Sequence, residues 1–169
     1  IPLDRPSAGR GRGEDLGAGA GDRVQLGAAL IVITIDLQTA TVRALNAKLH
    51  ALPADTNQRL WRVTHPRGAH AVAVGLTQPI EVTVEGHVGY YCAGMNQAAS
   101  VTVHGHAGPG LAENIMSGIV RVTGNASQSA GASGHGGLVV IEGDASSRCG
   151  ISMKGVDIVV RGSVGHMSA

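Results

Sequence analysis

Histidine and cysteine side chains are the first candidates for chemistry in this sequence, because both can bind a metal ion. His104 and His106 flank a single glycine and could act as a ligand pair. A zinc site needs about four convergent ligands in tetrahedral geometry, and the chain supplies only two cysteines, Cys92 and Cys149. No further ligand set completes the histidine pair. The sequence therefore predicts no metal site and favours a polar, solvent-facing role for the histidines.

Other residues whose types could support catalysis are not spaced for it. Ser152 and Lys154 lack the S-x-x-K spacing of a Ser/Lys nucleophile pair. Glu81 and Glu85 bracket an apolar strand, and nothing around them indicates a cleft in which they could act as an acid and a base. The glycine-rich stretches are followed by another strand, whereas a phosphate-binding loop needs a helix N-terminus. The sequence predicts no catalytic and no cofactor-binding residue.

The candidate residues lie in a 19-residue sequence repeat, which determines where their side chains stand in the fold. Each repeat begins with two β-branched residues that flank a variable one, as in Val82-Thr-Val84, and this alternation is typical of a strand with one buried face. A glycine follows, and a small apolar residue stands two positions after it. We call these glycines the marker glycines: Gly86, Gly105, Gly124, Gly143 and Gly162.

The repeat predicts a solenoid, because one repeat is too short to bury its own apolar face and must stack on its neighbours. The β-branched strands favour a parallel β-helix over a helical solenoid. The period departs from the hexapeptide rhythm of left-handed β-helices, and right-handed crossovers are the rule between parallel strands. The predicted fold is all-β, a right-handed parallel β-helix. Its marker glycines are expected at corners, with positive φ and close approach of adjacent coils.

When the repeats stack, residues at the same position of successive repeats lie above one another and form columns. Cys92, Leu111, Ala130 and Cys149 share one phase and are predicted to form a buried apolar column. Three coil spacings separate the two sulfur atoms by about 14 Å, which is too far for a disulfide. A second column is polar and is predicted to form a ladder along a solvent-facing turn: His87, His106, Asn125, Asp144 and Ser163.

The chain is predicted to have three segments. Residues 1–30 have the Gly/Arg/Ala-rich composition of a disordered or non-native extension. Residues 31–60 are expected to form a strand-and-helix leader that caps the solenoid. Residues 61–169 are expected to form the β-helix, which stops within a repeat as if the chain were a fragment of a longer protein.

The elements predicted before the first marker glycine are less regular than the repeats. We predict a strand over 30–37, a short amphipathic helix over 39–52, and strands over 60–64 and 71–76. The helix is expected to have one apolar face: Val42, Leu45, Leu49 and Leu52.

The overall composition excludes several classes of function. The formal net charge is +1 and aromatic residues make up 2% of the chain, so nucleic-acid binding, which uses basic stripes and stacking aromatics, is not expected. The longest apolar run, 28–35, is too short to cross a bilayer, and no membrane partner is predicted. Two cysteines do not make a disulfide framework. A cytoplasmic location is expected.

One stretch is richer in large side chains than a plain solenoid requires. Tyr90, Tyr91, Met95 and Asn96 are clustered, and the next repeat supplies Asn114 and Met116 at nearby phases. Aromatic and Met side chains beside amides suit a protein–protein interface. Two interpretations are open: the residues dock a partner, or they fill an irregular corner.

Three stretches resemble a known repeat module. They are Gly-His-Val-Gly-Tyr-Tyr-Cys-Ala-Gly-Met-Asn at 86–96, Gly-Pro-Gly-Leu-Ala-Glu-Asn-Ile-Met-Ser-Gly at 108–118, and Ser-Ser-Arg-Cys-Gly-Ile-Ser-Met-Lys-Gly at 146–155. They look like the Gly-x-Gly-x-Gly (GXGXG) repeat domain, the C-terminal β-helix of glutamate synthase large subunits. The likeness is greatest to the stand-alone subunit of N-methylglutamate synthase, and it covers about residue 36 to the end.

That resemblance implies a non-catalytic subunit of a three-part complex that forms N-methylglutamate and ammonia from methylamine and glutamate. The implied partners are a glutamine-amidotransferase-like subunit and an FMN-binding, glutamate-synthase-like subunit. The FMN and the iron–sulfur cluster are expected in the latter, and none of their ligands is carried over to this chain. Two alternatives stay open. The first is the β-helix subunit of a formylmethanofuran dehydrogenase complex, and the second is an independent carbohydrate-active β-helix protein.

Overall fold

The computed structural model describes residues 31–169, so the extension predicted over 1–30 lies outside the described residues. Within them the chain forms a β-solenoid whose seven strands all pair in parallel, in sequence order, in one sheet. A single short helix joins the first two strands. The elements are β1 (Val32–Asp36), α1 (Val42–His50), β2 (Leu60–Thr64), β3 (Glu81–Glu85), β4 (Ser100–His104), β5 (Ile119–Val122), β6 (Leu138–Ile141) and β7 (Asp157–Val160).

The strands form where the sequence alternates β-branched and variable residues. From β3 onward the register advances by the predicted repeat, with Glu81 opposite Ser100 and Ser100 opposite Ile119. The first β-branched residue of each triplet stacks on its equivalent in the next coil, as Val82 does on Val101. These inward side chains are buried from β2 through β6, and burying one valine contributes about 1.5 kcal/mol or more. The strands predicted in the repeats and their stacking are confirmed.

The marker glycines follow their strands within two residues and connect one coil to the next. The N–H of Gly124 donates to the carbonyl of Gly105 at 2.8 Å, and the N–H of Gly143 donates to the carbonyl of Gly124 at 3.0 Å. A Cβ on Gly105 would lie 2.8 Å from the carbonyl carbon of Gly86. The expected close approach is therefore present. The expected positive φ is found only at Gly86, with φ 132, and the other four marker glycines are required for space alone.

Left-handed backbone occurs instead at the opposite turn of the coil. In the coil after β3 the left-handed residues are Tyr91, Ala93 and Met95, with φ of 59, 52 and 53. A side chain in this conformation costs about 1–2 kcal/mol, and hydrogen bonds between coils offset that cost. For example, the N–H of Tyr91 donates to the carbonyl of Pro109 at 2.9 Å. The same phases are left-handed in later coils: Gly110, Ala112 and Asn114; Ser129, Gly131 and Ser133; Arg148, Gly150 and Ser152.

Helix α1 packs beside the first coils. The side chain of Thr41 accepts a hydrogen bond from the N–H of Ala44 at 3.1 Å and so caps the first turn. Leu45 and Leu49 are buried in the core, as the apolar face predicted. The helix is shorter than the predicted 39–52, because the capping residue itself is extended and the residues before it form a turn.

The strand predicted over 71–76 is wrong. Ala71, Ala73 and Gly75 have φ of 56, 55 and 63, and this alternation prevents an extended strand. Helix α1 supplies hydrogen-bond partners for part of this backbone. The side chain of its Asn46 donates from Nδ2 to the carbonyl of Ala71 at 2.8 Å and accepts at Oδ1 from the N–H of Ala73 at 3.0 Å. Those alanines occupy the same left-handed turn as the later coils.

The predicted apolar column is confirmed. Cys92, Leu111, Ala130 and Cys149 are all buried, and successive coils are joined here by backbone bonds such as Gly131 N–H to the Leu111 carbonyl at 2.7 Å. Both cysteines are free thiols. Burial raises the pKa of Cys92 to about 12 and also raises the pKa of Cys149. Neither sulfur is available as a thiolate at neutral pH, which argues against nucleophilic chemistry.

Candidate partner-docking surface

The left-handed turns of two adjacent coils present a cluster of large side chains. We call this cluster the corner surface and define it by Tyr90, Tyr91, Met95, Asn114 and Met116. All five are exposed, and the tyrosines and methionines are 50–54% exposed. Met95 and Asn114 hold the same phase in neighbouring coils. The structure thus presents at the surface five of the six residues that the sequence singled out, as docking requires.

The backbone holds the corner surface rigidly. Tyr91 and Met95 are both left-handed, and each donates its N–H to the following coil, to the carbonyls of Pro109 and Glu113 at 2.9 and 2.8 Å. Gly110 leaves room for the Tyr91 ring, because a Cβ there would lie 2.6 Å from its Cδ1. The exposed side chains therefore stand on a backbone that is bonded to its neighbours, and docking need not order a loose loop.

His70 positions Tyr90. Its ring stacks on the Tyr90 ring with centroids 4.5 Å apart and planes 15° apart. Its Nδ1 also accepts the backbone N–H of Tyr90 at 2.9 Å. Tyr90 in turn meets Tyr91 edge-on, with centroids 6.5 Å apart. Three rings are thus held in a fixed arrangement, and no pattern in the sequence had linked His70 to the two tyrosines.

Asn96 does not belong to this surface, contrary to the prediction. It is fully buried, and its side chain ties the corner together from inside. Its Oδ1 accepts the N–H of Ala99 at 3.2 Å, and its Nδ2 donates to the carbonyls of Ala99 and Ser117 at 2.8 and 3.1 Å. Because Ser117 belongs to the next coil, this amide joins two coils. Asn96 is a structural residue, and the corner's shape depends on it.

The predicted polar ladder is present, and it consists of side-chain acceptors. The Nδ1 of His87 accepts the N–H of His106 at 2.9 Å, and the Nδ1 of His106 accepts the N–H of Asn125 at 2.9 Å. Asn125 and Asp144 continue with their side-chain oxygens, which accept from Asp144 and Ser163 at 3.0 and 2.7 Å. The two imidazoles stack with centroids 4.9 Å apart. Each Nδ1 is engaged as a backbone acceptor, so it is not free to bind a metal.

Other constellations of reactive groups do not converge in the part of the chain that the structure describes. Within residues 31–169, no group of three or more His, Cys, Asp or Glu side chains is placed to hold a metal ion. Glu81 and Glu85 lie four residues apart on one strand, so their Cα atoms are about 13 Å apart. Both side chains are exposed on the outward face of the strand.

Helix α1 is the one helix among the described residues. It is too short and too polar to cross a bilayer, so this part of the chain contains no helix that could span a membrane.

A relative is known for part of this chain. The chain is 61% identical over 59 residues to the Rhizobium meliloti (strain 1021) protein named "Protein GlxC". The match covers 35% of this chain and 26% of that protein, so it spans about a quarter of the relative's length. No protein-family model matches the chain, and no solved structure matches it.

A second surface was not singled out from the sequence. On the outward face of the sheet, Ile119 and Val159 are 44% and 49% exposed, and Val140 lies between their strands. The signal was present in the sequence: the strand Leu138–Ile141 has four apolar residues in succession. Continuous apolar strands are typical of sheets covered on both faces.

Proposed function

We propose that this chain is a non-catalytic scaffold subunit of a glutamate-synthase-like complex, and specifically of N-methylglutamate synthase. The complex would exchange methylamine for the amino group of glutamate and release ammonia. Its partners would be a glutamine-amidotransferase-like subunit and an FMN-binding synthase-like subunit. FMN and the iron–sulfur cluster would reside in the latter, and this chain would hold the two subunits together.

The observation that carries the proposal is the corner surface on a solenoid of stacked coils. Tyr and Met side chains that are half exposed supply apolar contact area, and Asn114 supplies a hydrogen-bonding amide beside them. This composition is enriched in protein–protein interfaces. The likeness to Protein GlxC supports the coarser class, a glutamate-synthase-like subunit. The narrower assignment rests on the resemblance of the repeat motifs.

The scaffold role suits the energetics of the coil. Seven parallel strands bond to their neighbours in a continuous ladder, and the left-handed turns are bonded across coils as well. A docking side chain on such a backbone loses little backbone entropy on binding. We therefore expect a few large side chains to dominate the affinity, as in other interfaces.

The test is assembly with the two candidate partner subunits after co-expression. Tyr91→Ala is expected to weaken the complex by about 1–2 kcal/mol or more, measured as the dissociation constant of the purified subunits. Arg148→Ala is the matched control, because Arg148 has the same phase, an exposed side chain and a left-handed φ of 61. That variant should bind as the wild type does.

Circular dichroism of each variant separates docking from folding. A Tyr91→Ala chain that keeps the wild-type spectrum and melting temperature but binds weakly supports the proposal. A Tyr91→Ala chain that binds normally excludes the corner surface as the interface. Failure of the wild-type chain to bind either subunit, with binding to formylmethanofuran dehydrogenase subunits instead, would overturn the assignment to N-methylglutamate synthase.

A further inference from the structure

The outward face of the parallel sheet is divided into a polar part and an apolar part. On β3 and β4 the outward residues are Glu, Ser, Thr and His, and none is apolar. On β5 to β7, four outward positions are aliphatic and contiguous. Ile119 is in register with Leu138, and Val140 is in register with Val159. Single exposed aliphatic side chains are ordinary on protein surfaces, but a contiguous group across three strands marks an interaction surface.

A row of charged side chains borders this apolar patch. Glu142 forms ion pairs with Arg121 and, at 3.6 Å, with Arg161. Its side chain is only 20% exposed, whereas the Arg161 side chain is 69% exposed and reaches the carboxylate at the edge of the ion-pair range. The row has two positive charges and one negative charge. Arg161 therefore retains donors that face solvent.

Together the patch and the row form one shallow groove of about 390 Å³, lined by the following residues. They are Ile119, Arg121, Val140, Glu142, Val159 and Arg161. Three strands at the usual spacing make the groove about 10 Å wide, which matches the diameter of an α-helix with its side chains. Helices are also the elements that commonly cover the faces of parallel sheets.

We propose that this groove docks an amphipathic helix of a partner subunit, with its apolar stripe on Ile119, Val140 and Val159 and a carboxylate side chain on Arg161. Charge complementarity favours an acidic side chain of the helix at the arginine end, because the row carries a net positive charge and its one carboxylate is already paired. Asp157, in register with Leu138, lies at the other end of the patch. The inference rests on the proposed scaffold function and gives it a second docking surface. The corner surface belongs to the turns around Tyr91, and this one to the strands β5 to β7.

The experiment measures the dissociation constants of the purified full chain with each co-expressed partner subunit. Val159→Glu is expected to weaken binding to one partner by about tenfold or more, since it places a charge in the apolar stripe. Thr83→Glu is the matched control. Thr83 is at the same strand position as Val159, on the polar part of the face. Each new carboxylate has an arginine near it: Arg62 is in register with Thr83, and Arg161 comes two residues after Val159. The control should change binding less than about threefold, as peripheral substitutions do.

Two more measurements make the outcome specific. Arg161→Glu should weaken the same interaction and reduce its sensitivity to salt, whereas tighter binding would show a basic partner and overturn the proposal. Light scattering of the isolated wild-type chain tests for a second copy: a dimer that Val159→Glu dissociates would replace the partner helix as the occupant.

The two hypotheses fail in different ways. If the wild-type chain binds both subunits and Val159→Glu binds each as tightly, the groove is not an interface and the scaffold function stands. If the wild-type chain binds neither subunit, the proposed function itself fails.

Discussion

Replacing Asn96 with alanine is expected to lower the free energy of unfolding by about 2–4 kcal/mol. The structure gives the reason atom by atom. The N–H of Ala99 has the Oδ1 of Asn96 as its acceptor, and Ala99 is fully buried, so the substitution leaves this donor unsatisfied at a cost of about 1–3 kcal/mol. The carbonyl of Ala99 keeps the N–H of Ile119 at 3.1 Å, and Ser117 is exposed enough to reach water. Those two lost bonds and the vacated volume together add roughly 1 kcal/mol.

The matched control is Asn114→Ala. Asn114 is the same residue type in the next coil, but its side chain is exposed and its backbone is left-handed, with φ 56. Its substitution should lower stability by less than about 1 kcal/mol, because it removes no buried hydrogen bond and only places alanine where asparagine is the better left-handed residue. Urea unfolding followed by far-ultraviolet circular dichroism measures both variants. Equal effects of the two substitutions, or a loss below about 0.5 kcal/mol for Asn96→Ala, would refute the assignment of Asn96 to the interior.

Three further predictions concern the column, the turns and the ladder. Burial raises the pKa of Cys92 to about 12 from an ordinary 9.0, so its stabilising contribution is complete below the ordinary value and is lost as pH rises towards about 12. In a Cys149→Ala chain, Cys92 should therefore react with a thiol reagent at about pH 8 only after unfolding, and rapid labelling of the native chain would contradict its burial. Arg148→Gly should raise the free energy of unfolding by about 1 kcal/mol because it removes a side chain from a left-handed position, while Gly110→Ala should lower it. Urea unfolding measures both variants. A loss of stability in the Arg148→Gly chain would show that the arginine makes a stabilising contact. His87→Ala removes the acceptor of the His106 N–H, whereas His87→Asn keeps an acceptor oxygen. The alanine chain should therefore have the lower melting temperature, and equal melting temperatures would show that this bond of the ladder does not stabilise the coil.

The regular part of the fold could be predicted from the sequence because its signals are local and repeated. Alternating β-branched residues indicated β3 to β7, and equal phases indicated both the cysteine column and the histidine ladder. These predictions needed only the period and the strand spacing.

Features that depend on contacts between coils could not be predicted in the same way. Asn96 follows Tyr and Met residues in a segment whose composition suggests an exposed surface. Its burial depends on the hydrogen bonds of its side chain to Ala99 and Ser117, which the sequence does not show. Most left-handed positions of the turns carry a side chain such as Ala, Tyr, Met or Ser, and only some carry the glycine that normally signals positive φ. The cost of the others is offset by bonds to the neighbouring coils. Four of the five marker glycines serve close approach, which the sequence alone does not separate from turn geometry. The only sequence signal of the groove on β5 to β7 was the continuous apolar strand β6, and the register of the sheet is what brings its residues together.

The proposed function is that this chain holds together a glutamate-synthase-like complex without performing its chemistry. The most direct measurement is N-methylglutamate formation from methylamine and glutamate by the two partner subunits, with and without the purified chain, alongside their co-elution. We expect formation by the three-component mixture, little or none when the chain is omitted, and none by the chain alone. Full activity of the two partners in its absence, or turnover by the chain alone, would contradict that claim.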